Sequence, residues 1–133
     1  MAEPRCGGCR CGAIRYEISG KPIAGVACHC RDCQFVAGGS PNLTWLFAHS
    51  GFELLRGNPT VYRATATSGG SNFCSICGVQ VYSRPDKNDH LIAIKVGTLD
   101  DPSEFQVDAD IWMKSAQPWH RKHNGAQQFE GNP

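Results

Sequence analysis

The sequence predicts an all-β fold, mainly β, made of several small antiparallel sheets with one or two short helical turns. Three observations predict it. Apolar and β-branched residues come in short runs with period-two alternation, Gly, Pro and Asn separate those runs, and the 3.6-residue spacing of amphipathic helices is scarce.

In chain order, Ala13–Ile18 alternates, with Ile14, Tyr16 and Ile18 facing one way and Arg15 and Glu17 the other. Leu43–Phe47, Phe52–Leu55, Thr60–Thr65, Val79–Ser83, Leu91–Val96 and Gln106–Met113 read as further strands. Turn signals stand between them at Ser19–Pro22, Gly57–Pro59, Ser68–Ser71 and Pro85–Asp89. Arg31–Ala37 reads as a helix of one turn or two, and Ser115–His120 as a second short one. No repeat, low-complexity tract or linker divides the chain, so residues 1–133 are expected to form a single domain.

Charge and composition exclude several function classes. Thirteen basic and twelve acidic residues leave a formal charge of +1, too little for a long-range field that gathers nucleic acid or an anionic membrane. No apolar run approaches bilayer-spanning length. Eight cysteines in a chain this short demand either disulfides or metal. The stretch Met1–Arg5 lacks the apolar character of a secretory signal. Cys9 and Cys11, and again Cys28 and Cys30, are one residue apart, too close to bridge without strain. Metal ligation in a reducing cytoplasm is therefore the expectation.

The cysteines fall into groups. Cys74-Ser75-Ile76-Cys77 followed by Gly78 has the form of a zinc knuckle, whose turn aims both sulfurs inward while backbone N–H groups support them. Cys9 and Cys11 supply a second pair, so that Cys9, Cys11, Cys74 and Cys77 form a four-thiolate site tying the first strand to a distant hairpin. Four thiolates saturate zinc and serve folding. Cys28, Cys30 and Cys33, in the run C-H-C-R-D-C, bring three more thiolates from one tight segment. A zinc ion with three protein ligands keeps a position open, and three thiolates suit that position to a soft incoming ligand, a substrate thiol. Two residues compete to close it. Cys6 lies on a Gly-rich lead-in, and His29 sits between two of the cysteines, although alternation in an extended segment turns its side chain away from theirs. Closure by either would leave a zinc-stabilised scaffold.

Gly7–Glu17 (G-G-C-R-C-G-A-I-R-Y-E), C-H-C-R-D-C and Phe73–Gly78 (F-C-S-I-C-G) resemble, in this order and at these separations, the glutathione-dependent formaldehyde-activating enzyme family, which includes the centromere protein V group. The likeness continues through Val96–Pro102, Asp110-Ile111-Trp112, Ser115–Trp119 and Gln128–Gly131. The resemblance implies a tent-like β fold organised around two zinc ions. A structural zinc would be held by Cys9, Cys11, Cys74 and Cys77, and a catalytic zinc by Cys28, Cys30 and Cys33. It also implies a carbon–sulfur lyase-type activity that joins formaldehyde and glutathione as S-hydroxymethylglutathione. Cys6 falls outside the family pattern.

The expected partners are a small-molecule thiol and an aldehyde, with no nucleic acid and no membrane; the oligomeric state is left open. Glutathione carries two carboxylates that need donors beyond the metal. Arg10 and Arg31, beside ligands, come first; Lys95, Arg84, Lys114 and Arg121 follow, each more often a solvated charge. Trp112 and Trp119 are assigned to the core ahead of a pocket wall, and His90, His120 and His123 are candidates for acid–base work. The alternative function is a non-catalytic thiol carrier or protein-interaction module.

Overall fold

The computed structural model describes residues 4–66, 68–85 and 88–133, so the turn expected at Pro85–Asp89 lies partly outside the described residues. The strands are β1 (Arg5–Gly8), β2 (Arg15–Ile18), β3 (Ala24–Cys28), β4 (Asn42–Ala48), β5 (Phe52–Arg56), β6 (Thr60–Tyr62), β7 (Ser71–Phe73), β8 (Gln80–Ser83), β9 (Leu91–Lys95), β10 (Ala109–Ile111) and β11 (Gln127–Gln128). One α-helix, α1 (Arg31–Val36), follows the three-cysteine run, and the remaining helical structure is single 3-10 turns. The mainly β class holds.

Two sheets carry the fold. β1-β2-β5 forms a three-stranded antiparallel sheet, and β11-β10-β3-β4-β9-β8-β7-β6 an eight-stranded one. The larger sheet is mixed, because β10 runs parallel to both β3 and β11. Between the sheets lies the core. Ile14, Tyr16 and Ile18, from β2 and the turn before it, pack with Trp45, Phe47, Val81, Tyr82, Ile92 and Ile94 of the large sheet. Phe52 of β5 joins them by stacking on Tyr16, with ring centroids 5.7 Å apart, and by packing 4.7 Å from Tyr82. Each fully buried large side chain there contributes about 1.5–3 kcal/mol.

Some strands were invisible to alternation for a physical reason: they are built from small residues that fit where side chains cannot. A Cβ on Gly7 of β1 would lie 2.4 Å from both the Thr98 carbonyl oxygen and the Tyr16 hydroxyl. β3 (A-G-V-A-C) runs between β4 and β10 with Gly25, Val26 and Ala27 buried.

Three expected elements depart most from their sequence pattern, and the first, Thr60–Thr65, ends at Tyr62. Gln106–Met113 contracts to β10 because Trp112 takes a left-handed conformation (φ 59°) and turns the chain out of the sheet. Ser115–His120 is not a helix; a single 3-10 turn at Met113–Ser115 takes its place. Pro118 explains this, since it disfavours helical backbone at Gln117. Among the described residues no helix is long and apolar enough to cross a membrane.

Candidate metal centres

The turn between β1 and β2 carries Cys9 and Cys11, and the turn between β7 and β8 carries Cys74 and Cys77. Their four sulfurs all lie within 4.8 Å of one another. The cluster therefore links the small sheet to the large one, with Cys9 and Cys74 buried in the same core as Tyr16 and Ile94. The two turns are built alike. Cys9 N–H bonds the Ile14 carbonyl and Cys74 N–H the Val79 carbonyl, closing each loop. Gly12 and Gly78 follow the second cysteine of each pair at φ 80° and 79°, a conformation side chains disfavour.

Backbone N–H groups point at the sulfurs: Ile14 donates to Cys9 Sγ at 3.2 Å, and Ile76 and Cys77 donate to Cys74 Sγ at 3.4 and 3.5 Å. The Sγ separations of Cys9 from Cys11 and of Cys11 from Cys74 are both 3.7 Å. A tetrahedron of sulfurs about 2.3 Å from a central zinc has edges of about 3.8 Å, so this donor set fits such an ion.

The thiols are electrostatically uneven. The Val79 backbone N–H, followed by that of Cys11, lowers the Cys77 pKa to about 6. For Cys11 the Ala13 N–H lowers it, but burial and the thiols of Cys9, Cys74 and Cys77 together outweigh that and push it to about 11. Four thiols this close ionise together only around a cation.

Cys28, Cys30 and Cys33 form the second group, their sulfurs also mutually within 4.8 Å, each half-buried. Cys28 ends β3; Cys30 caps α1, its sulfur accepting the Cys33 N–H at 3.4 Å. The crowding repeats here: its Cys28 neighbour and then burial push the Cys33 pKa up, and burial raises that of Cys30. Two cysteine clusters that could hold metal ions are therefore present.

Neither candidate fourth ligand joins the second group. Cys6 is exposed on β1, opposite Glu17. His29 is fully buried, and both ring nitrogens are engaged, Nε2 with Asp110 Oδ1 at 2.9 Å and Nδ1 with His120 Nδ1 at 2.9 Å. Alternation at the end of β3 sends His29 away from Cys28, as the sequence pattern required.

Strand register explains what surrounds the second group. Cys28 pairs with Asn42, and Thr44, two residues along the same face, pairs with Lys95. Lys95 thus lies on the sheet face opposite Ile94 and the core. Burial lowers the Lys95 pKa, while the nearby Cys33, Cys28 and Cys30 act to raise it. An open cavity of about 1030 Å³ adjoins this region, and Asp32, Val36, Asn42 and Lys95 form its wall on the cysteine side, facing Tyr62, Phe73 and Arg84. The cysteines themselves are not among its lining residues; the wall passes through their immediate neighbours.

The other sequence candidates scatter. Arg10 is exposed in the turn of the four-cysteine cluster, and Arg31 is held by Gln34 and by the Phe35 ring; neither lines the cavity. Lys114 lies over Trp112, and Arg121 is exposed. Trp112 and Trp119 are not core residues: Trp119 is 62% exposed, with its Nε1 on the Gly39 carbonyl, and Trp112 Nε1 bonds Asn132. His90 is exposed beside Asp89, whereas His120 and His123 converge on His29 and Asp110. Asp110 escaped the sequence reading, because an isolated acidic residue in a strand gives no signal of burial. Its pKa is held down to about 2: burial opposes the charge, but the His123 backbone N–H, the His29 ring, the Gln128 amide and the His123 ring together outweigh burial.

The fold is similar to that in a crystal structure of a Rhodobacter sphaeroides protein, with a TM-score of 0.64 and 22% sequence identity over 77% of this chain and 96% of that one. The sequence also matches the profile of the glutathione-dependent formaldehyde-activating enzymes over residues 4–115, a span that includes both cysteine clusters. With most of its length matched, the chain belongs to the glutathione-dependent formaldehyde-activating enzyme family.

Proposed function

We propose that this chain is a cytoplasmic, zinc-dependent carbon–sulfur lyase acting on a thiol–aldehyde adduct, with glutathione and formaldehyde as the substrates its family suggests. All 133 residues would work as one zinc-binding domain. The observation that carries the reading is the convergence of Cys28, Cys30 and Cys33 with no fourth protein ligand among the described residues, beside a cavity large enough for a tripeptide. Cys9, Cys11, Cys74 and Cys77 would hold a structural zinc, saturated by four thiolates. Cys28, Cys30 and Cys33 would hold a second zinc ion, which would supply positive charge to lower the pKa of a substrate thiol.

The reaction needs a bond from sulfur to the carbonyl carbon, while the C=O π pair moves to oxygen and the thiol proton ends there. No oxidation state changes. Around that chemistry the chain supplies a cation, Lys95, whose ammonium offers N–H donors to the negative charge developing on the carbonyl oxygen. Arg84, farther along the cavity wall, suits a substrate carboxylate. The cavity wall otherwise brings apolar surface from Val36, Tyr62 and Phe73 against the body of the thiol.

The test is turnover of formaldehyde with glutathione and with other thiols, compared with the spontaneous reaction and with Cys33→Ser. A rate enhancement lost in that variant supports the lyase. No enhancement with any thiol leaves the carrier or interaction module as the reading.

A further inference from the structure

The peptide between Cys28 and Cys30 is held at every polar group it has. The His29 backbone N–H donates to the Ile111 carbonyl at 3.0 Å, and its carbonyl accepts from Gln34 Nε2 at 2.7 Å. Its ring bonds Asp110 through Nε2 and His120 through Nδ1. Gln34 is itself buried in α1 and spans to the Ser115 carbonyl at 3.0 Å.

Asp110 is the hub of these contacts. Oδ1 accepts from His29 Nε2 at 2.9 Å and from His123 Nδ1 at 2.8 Å. Oδ2 accepts from the His123 backbone N–H at 2.8 Å and from Gln128 Nε2 at 2.7 Å. Its four acceptor positions are filled, and the side chain is fully buried. The Gly39 carbonyl fixes His120, accepting from Nε2 at 2.8 Å. Apart from His29, the donors to Asp110 come from the segment after Trp112, whose left-handed backbone turns the chain out of β10. A bulky residue in that conformation costs free energy that surrounding contacts must offset.

These contacts touch neither the cavity nor the cysteine sulfurs, yet they fix the backbone that carries two of the sulfurs. We propose that Asp110, acting through His29, is the positioning residue of the three-cysteine centre, and that the segment from His120 to Gln128 is the strap that holds it in place. Metal retention by Cys28, Cys30 and Cys33 then depends on residues that are not ligands, while the four-cysteine cluster is indifferent to them. This rests on the reading that the three-cysteine group binds metal.

The experiment follows the release of each zinc ion to a chromogenic chelator from the 133-residue chain loaded with two equivalents, together with the visible spectrum of the cobalt-substituted protein. Asp110→Asn removes the charge at nearly constant shape, and His123→Ala removes one donor while leaving the backbone N–H. His123→Asn restores a donor at the Nδ1 position. The expected result is about tenfold faster release of one zinc from Asp110→Asn. A smaller acceleration is expected in His123→Ala, reversed in His123→Asn. The second zinc should leave at the wild-type rate, and the cobalt bands of the three-thiolate centre alone should change. If Asp110→Asn does not fold, the two His123 variants decide.

Equal acceleration of both ions, or of neither, overturns the proposal. A wild-type protein that holds one zinc equivalent, unchanged by Cys33→Ser, instead overturns the underlying reading and the proposal with it. The stoichiometry thus separates the two failures.

Discussion

The two cysteine clusters are made of the same side chain and do opposite things to the architecture. The four-cysteine cluster takes its residues from two turns sixty-odd residues apart in sequence (roughly, by chain position) and borders the core, with Cys9 and Cys74 buried in it and Cys11 exposed, joining one sheet to the other. The three-cysteine cluster takes its residues from one short segment at the end of β3, half-buried, on the face away from that core. The first substitutes for packing that a small β domain lacks; the second needs the surrounding fold to hold it still. The number of sulfurs follows from placement. Two opposed turns bring four together, whereas a single segment delivers three and sends its histidine the other way.

The largest expected effect tests the first half of that contrast. Structural zinc supplies an apparent 10–16 kcal/mol or so, against a net stability of about 5–15 kcal/mol for a domain. Cys74→Ser should therefore abolish cooperative unfolding, seen as loss of the near-ultraviolet circular dichroism signal and of the thermal transition. Cys33→Ser should keep both, and lose one zinc equivalent and all turnover. Equal collapse of the two variants would erase the distinction between the clusters.

A smaller effect concerns Asp110, with its pKa near 2 in the fold against about 3.9 in an unfolded chain. A depressed carboxylate stabilises the fold above its unfolded pKa, and that contribution fades as pH falls through the folded value. The stability gap between the wild type and Asp110→Asn should be on the order of 2 kcal/mol at neutral pH, well above both pKa values, where the thiolates also keep any bound metal. Denaturant titrations of both proteins at pH 7 measure it. Equal stability of the two would mean that the carboxylate's charge does not stabilise the fold.

Lys95→Gln addresses the chemistry beside the open cluster. It should lower kcat/KM by about tenfold, corresponding to one charge-assisted hydrogen bond of about 1.4 kcal/mol, with zinc content unchanged. The smallest effect belongs to Arg15, which pairs with Asp100 through two bonds of 3.0 and 2.5 Å at the surface. Arg15→Gln should change stability by less than about 1 kcal/mol and lose that difference in high salt. It serves as the control for variants that touch neither cluster.

What was legible in the sequence was local. Cys-x2-Cys-Gly and Cys-x-Cys-Gly each encode a turn whose glycine supplies the left-handed step, and C-H-C-R-D-C brings three sulfurs together within one segment. Alternation was enough to turn His29 away from the metal side. Ile14, Tyr16 and Ile18 announced their strand because they pack as large side chains do. The parts that were hidden depend on pairing between distant segments. Lys95 faces the open cluster only because β9 pairs with β4 and β4 with β3. Asp110 reaches His29 only because β10 runs parallel to β3. Parallel pairing leaves no turn signal, and β3 itself, made of small residues, leaves no pattern to read. Trp112 and Trp119 misled for a related reason: aromatic size suggests a core, but here both indole N–H groups are tied to surface partners.

The parallel pairing of β3 with β10 also sets a timetable for the chain as it is made. Synthesis delivers the N-terminus first. Every residue of the four-cysteine cluster has emerged once Cys77 is out, so that centre can load while translation continues. Cys28, Cys30 and Cys33 emerge early, but Asp110, His123 and Gln128 follow only with β10 and the segment after it. Through that interval the three thiols stand without their support. Oxidation of those thiols before Asp110, His123 and Gln128 dock would cost the three-cysteine cluster its capacity for metal while sparing the other.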